Sequence, residues 1–206
     1  MNEIKELAGL LKARTPLLGL APKTIRDPEA EARIRSLEPA AGESYALCVK
    51  AGLHLWNGSL DACHGLVQDI ANSTGSYWHG IMHRMEPDYS NAKYWFRRVG
   101  HHPVYPLLSR TVTDWLAKAG DAAERGCPAE ARSLWDRWRN SATWDPYGFI
   151  DLAAYAAARE DADEEPGSAA GWEQVLRRIQ WFEIALLLDY SYQQWRGGTL
   201  FDTISA

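Results

Sequence analysis

A chain of 206 residues with 46% hydrophobic and 24% charged side chains can bury one sizeable core, and that balance excludes disorder throughout. Its formal net charge of −5 excludes a general binder of nucleic acid or of anionic membranes, since either needs a basic surface. The longest apolar run, Ile184 to Leu188, is far too short to cross a bilayer.

The opening residues, Met1 to Leu7, read as an amphipathic helix with acids in its first turn and not as a secretory leader. Three cysteines, Cys48, Cys63 and Cys127, include no C-x-x-C pair and fit free thiols in a reducing compartment. A cytoplasmic location is the expectation. Ten tryptophans are an unusual number, to be explained by packing first and ligand binding second.

Apolar residues recur at the helical period almost everywhere, and strict alternation is scarce. Ile4, Leu7, Leu10 and Leu11 form a first stripe that ends before Thr15-Pro16. Pro28 opens a short helix and Pro39 closes it. A helix over 43–56 runs into Asn57-Gly58, after which Ser59 caps the next one, lined by Leu60, Cys63, His64 and Val67. Residues 77–85 form a helix with Trp78, Ile81, Met82 and Met85 on one side, broken at Glu86-Pro87-Asp88. Ser90 is expected to cap a helix whose inner stripe is Ala92, Trp95, Phe96 and Val99.

Beyond His102-Pro103, Leu108, Val112, Trp115 and Ala119 align, and beyond Pro128 so do Ala131, Leu134, Trp135 and Trp138. Asp145-Pro146 reads as an N-cap followed by proline at the first helical position. The acidic stretch Glu160 to Glu165 with Pro166-Gly167 is the best linker candidate, and Ser168 caps a long final helix reaching about Trp195. Helical phase assigns Trp95, Trp115, Trp135 and Trp138 to the core, while Trp56, Trp78 and Trp144, near turns, read as pocket walls.

Two turns look alike, Gly58 to Ala62 and Asp88 to Ala92, with a third at Gly126 to Ala131, a spacing that suggests stacked helix-turn-helix units. The segment Trp78-His-Gly80-Ile-Met-His83 followed by Asp88-Tyr89-Ser-Asn-Ala92-Lys-Tyr-Trp95-Phe96 resembles a tetratricopeptide or Sel1-like repeat. Gly80 falls where that pattern lets two helices approach, Ala92 where it needs a small residue, Phe96 where it needs a large one, and Pro103 near its closing proline. His83 departs from it, standing where an aromatic is favoured.

The resemblance implies right-handed helical stacking and partner binding, and it supplies no catalytic residues. The expected fold is therefore all-α: a single domain of antiparallel helical hairpins in a short tetratricopeptide-like array. Within it, residues 1–40 form an N-terminal helical arm, 41–160 the stacked hairpins and 168–196 a long closing helix.

Chemistry concentrates between residues 64 and 102. His79 and His83, four apart, project from one side of a helix and can share a metal, with Glu86 on the flank. His64, placed inside by its stripe, is the best third ligand. Glu183 falls on the apolar stripe of the last helix with Gln180 beside it, and a carboxylate there costs several kcal/mol, in order of magnitude, unless paired, protonated or metal-bound. One outcome is a salt bridge to Arg84, Arg97 or Arg177. The other is a site for iron, manganese or zinc built from His64, His79, His83 and Glu183.

The basic residues Arg84, Lys93, Arg97 and Arg98, interleaved with Tyr94 and Trp95, suit a small anion, with Trp78, Gln68 and Gln180 as further lining residues. Glu86 and Asp88 compete as internal partners for Arg84 and Lys93. Asp151, partly inward, is a lesser candidate. No G-x-S-x-G and no glycine-rich phosphate loop after a strand occurs, so nucleophilic and nucleotide chemistry have no support.

Two classes of function stay open. One is a non-catalytic module holding a peptide or small anion in a His/Arg/Trp-lined pocket, the usual work of helical repeats. The other is a metal-dependent enzyme on the His/carboxylate set, with Arg84 or Arg98 orienting an anionic substrate. No nucleic-acid or membrane partner is expected in either.

Overall fold

A computed structural model of the chain describes residues 2–39, 42–120, 126–160 and 169–204. Among these the regular structure is all helical: α1 (Asn2–Lys12), α2 (Pro28–Arg35), α3 (Ser44–Trp56), α4 (Leu60–Val67), α5 (Ser73–Met85), α6 (Tyr89–Val99), α7 (Val104–Ala119), α8 (Arg132–Arg139), α9 (Pro146–Glu160) and α10 (Ala169–Arg196). A 3-10 turn, Ala129–Ala131, leads into α8. None of the described helices is long and apolar enough to cross a membrane. The acidic linker expected from 160 onward and the Ser168 cap lie outside the described residues, save that Glu160 ends α9.

Local chemistry sets the helix starts. Asp27 accepts from the Ala30 amide at 2.9 Å with Pro28 in the first turn, and Asn72 accepts from the Gly75 amide at 2.7 Å, which starts α5 four residues before the expected 77. Asp145 caps α9 as its sequence implies, accepting from the Tyr147 and Gly148 amides at 3.0 Å each. Two expected caps are corrected. Asp88, not Ser90, caps α6 by accepting from the Asn91 amide at 3.1 Å; the Ser90 hydroxyl merely donates to Asp88. Ser59 stands at the N-cap of α4 but sends its hydroxyl to Glu31 instead of a helix amide.

The first stripe also shifts. Leu10 is 44% exposed, and Ala8 joins Ile4, Leu7 and Leu11 inside. These four pack on α3 within one core that runs from Ile4 to Phe201, which Leu20, Ala30 and Ile34 also join.

Consecutive helices from α3 to α6 pack on one another, α9 lies against α5, α6 and α8, and α7 packs on α10. Gly80 sits at the closest approach of α5 and α6, where a Cβ would come within 2.8 Å of the Phe96 ring. The last helix does more than close the fold. At 1.5 Å per residue its 28 residues span about 42 Å. From Ile179 to Asp189 every residue is buried, which marks a helix surrounded by protein on all sides. It packs on α3, α7 and α9, and the Trp78 indole of α5 donates to the Ser191 hydroxyl at 3.1 Å. Within it, Asp189 accepts from the Leu200 and Phe201 amides at 2.6 and 3.3 Å, folding the tail back on the core.

Candidate metal centre

Two adjacent helices bring three imidazoles together. His79 and His83, one turn apart on α5, have near-parallel rings with centroids 4.8 Å apart. His64 on α4 meets both edge-on, at 4.8 Å from His79 and 5.3 Å from His83. One ring nitrogen from each lies within 4.8 Å of the others, a grouping confined to these three among the described residues. A tetrahedral zinc site with bonds of 2.0–2.1 Å needs such nitrogens at ~3.3 Å, so the side chains must rotate to close the set. His79 and His83 are buried and His64 half-buried, which leaves the α4 side as the approach from solvent.

The surroundings favour the neutral form of His79 and His83. Burial, followed by the neighbouring His83 and His64, drives the His79 pKa down to about 3. Burial also lowers that of His83, against the pull of Glu86 and Asp88. The Glu86 carboxylate lies 3.3 Å from His83 Nδ1 and Asp88 at 3.9 Å, the position from which a carboxylate orients a ligating imidazole, although the Glu86 contact is too far off axis for a good hydrogen bond. Trp95 of α6 lies flat on the His79 ring at 3.8 Å, and the Arg98 guanidinium stands 5.2 Å from the Trp95 ring.

Neither nitrogen of His79, which is 2% exposed, has a hydrogen-bond partner. The other buried histidines show how unusual this is. His54 Nδ1 lies 3.0 Å from Glu31, which also takes the Ser59 hydroxyl at 2.9 Å, the Asn57 amide at 3.3 Å and Arg35 at 3.0 Å. Burial pushes the Glu31 carboxyl up, but those donors outweigh it and leave it lowered. His102 accepts from the Val104 amide at 3.2 Å through Nδ1, which leaves Nε2–H to donate to Thr74 at 3.1 Å. Both of those clusters satisfy their polar atoms internally, as buried structural groups do. His79 does not.

Glu183 stays out of the imidazole cluster. Its side chain and that of Arg84 are 0% exposed and pair at 2.5 Å, so the salt bridge weighed from the sequence forms with Arg84. The Tyr77 hydroxyl donates to the other Glu183 oxygen at 3.0 Å, Arg84 also reaches Gln180 at 3.3 Å, and its guanidinium lies 4.6 Å over the Phe149 ring. A carboxylate bound this way is neither a metal ligand nor a free base, and Arg84 is equally withdrawn from substrate.

The expected anion-binding set is dispersed for similar reasons. Lys93 pairs with Asp151 at 2.5 Å, Gln180 donates to the Gly19 carbonyl at 3.3 Å, Trp78 is sealed in the core, and Gln68 is exposed. Arg97 lines a groove of about 810 Å³ with Arg110, Tyr105 and Trp144, and Arg98 stays with Trp95.

The tryptophan assignments partly reverse. Trp56 and Trp78 are core residues, while Trp95 and Trp115 are half-buried and face a site and a groove. Trp95 is the site residue that stripe reasoning missed. A stripe shows which residues share a side of a helix, not whether a neighbour fully covers them.

No protein-family model matches the chain, and neither the curated proteins nor the solved structures yield a significant match.

Proposed function

We propose that this protein binds one divalent transition metal through His64, His79 and His83, with Glu86 in the outer shell and at least one coordination position open beside His64. The observation that carries this reading is a buried His79 whose two nitrogens lack partners while two other imidazoles converge on it. A neutral imidazole leaves a donor and an acceptor unpaired there, at a cost of roughly 1–3 kcal/mol for each group, and coordination removes part of that cost. An all-imidazole set favours zinc, copper, nickel or iron over magnesium and calcium. Three protein ligands with a vacancy are the pattern of a centre that admits water or a small ligand.

Calorimetric titration of the untagged chain with Zn²⁺ tests it. One equivalent should bind, and His79→Ala should weaken binding at least a hundredfold while leaving helical content unchanged. Undiminished binding in that variant would remove the ligand set.

A second reading, capture of a small anion or acidic peptide by a non-catalytic module, has one specific support. Arg97 and Arg98 have no carboxylate partner among the described residues, and Arg98 lies over the Trp95 that covers His79. Arg98→Gln should then weaken acetate or phosphate binding to the zinc-loaded protein in a salt-sensitive way, leaving zinc affinity unaltered. An indifferent variant would remove this reading alone.

A further inference from the structure

A separate groove of about 970 Å³ opens where the end of α1 and the loop after it meet α7, α10 and the C-terminal tail. Four cations line it, Lys5, Lys12, Arg14 and Arg178, against one acid, Asp202. In a chain of net charge −5 that local excess is notable. Arg14 is already committed, to Asp27 and to the Asn57 side chain.

Arg178 is not committed. It is half-buried and has no carboxylate partner among the described residues; its guanidinium faces the Trp181 ring 5.2 Å away. A partly desolvated cation without a counter-ion is costly, and an incoming anion relieves that cost. Lys12 lies 5.1 Å from the Phe201 ring and donates to the Thr203 carbonyl, so its ammonium is held at the rim. Lys5 is exposed beside it.

The walls are aromatic: Trp115, Trp181 and Phe201. Trp181 is 6% exposed, and its indole N–H has no acceptor. Cations set beside flat apolar walls, Lys12 by Phe201 and Arg178 by Trp181, match a ligand with a charged end and a ring.

We infer that this groove binds a small organic anion made of a flat ring bearing a phosphate or carboxylate, with the charged end on Arg178, Lys12 and Lys5 and the ring against Trp115 and Phe201. The site is independent of the imidazole cluster and needs no metal.

Calorimetry of the full chain with a chelator present tests it, using 4-nitrophenyl phosphate, inorganic phosphate and 4-nitrobenzyl alcohol as probes. The aryl phosphate should bind saturably and with salt sensitivity. Inorganic phosphate should bind at least tenfold more weakly, and the neutral alcohol should not saturate. Arg178→Gln should weaken the aryl phosphate about tenfold or more, the loss of a charge-assisted hydrogen bond. Lys5→Gln, at an exposed position where folding is not at stake, should give a smaller loss that vanishes in high salt.

Absence of aryl phosphate binding would overturn the site, and so would equal binding of the alcohol or unaltered affinity in both variants. Equal affinity for inorganic phosphate would overturn the role of the aromatic walls.

Discussion

Glu183→Gln is the most informative single change in the core. It keeps the side chain's size and removes its charge, which leaves Arg84 with an uncompensated cation at a position where both side chains are 0% exposed. An ion pair of 2.5 Å is broken, and the Tyr77 hydroxyl at 3.0 Å no longer faces a charged acceptor. Breaking a buried pair from one side costs about 3–5 kcal/mol. For a chain of this length that corresponds to a fall in Tm of roughly 6–20 °C. Urea denaturation followed by circular dichroism measures it.

Removing both charges together with the hydroxyl, as Arg84→Met, Glu183→Leu and Tyr77→Phe, leaves only the Gln180 side-chain oxygen without the donor it had in Arg84 and should recover most of that loss, because an apolar replacement of similar volume is often neutral. Two results would show that the buried pair does not hold the core in this way. One is a single-variant loss below about 1 kcal/mol. The other is a triple variant no more stable than Glu183→Gln.

Three further outcomes follow from the same geometry. Burial holds His102 near 4 in the fold, while an unfolded histidine titrates near 6.5. Its contribution is therefore complete above about pH 6.5, falls as the unfolded chain takes up the proton, and levels off below the folded value. Between about pH 7.5 and 4.5, His102→Asn, whose side-chain oxygen can still accept from the Val104 amide, should lose about 2–3 kcal/mol less than the parent in urea titrations, and equal losses would contradict this.

Gly80→Ala should destabilise by about 1–3 kcal/mol, since the added carbon meets the Phe96 ring at 2.8 Å, and an unchanged urea midpoint would show that α5 and α6 do not pack so closely. Trp95→Ala uncovers the His79 ring; an NMR titration of the metal-free protein should find its midpoint moved up from about 3 toward the ordinary histidine range, and an unmoved value would mean that Trp95 does not shield it.

Much of this is legible in the sequence, and the reasons are specific. Period and turn chemistry place α3, α4, α6 and α9 because Asn57-Gly58 and Asp145-Pro146 act locally. The i,i+4 spacing brings His79 and His83 to one side of α5, while His64, expected inside with Cys63 and Val67, is only half-buried. Partner choice is not legible. Glu183 has three candidate arginines, and the one it meets, Arg84, lies 99 residues away in the chain. Nothing in the phase of α10 distinguishes that arginine from the histidines on the same helix α5. The cationic groove is invisible for a related reason, since Lys12, Arg178 and Phe201 belong to three remote segments joined only when the tail folds back onto Asp189.

Whether the three imidazoles hold a metal is read from crystals grown with one equivalent of Zn²⁺ and measured at the zinc absorption edge. A single anomalous peak should lie about 2.0–2.1 Å from one ring nitrogen each of His64, His79 and His83. A peak bound elsewhere, or none while those rings remain apart, would rule out this metal site.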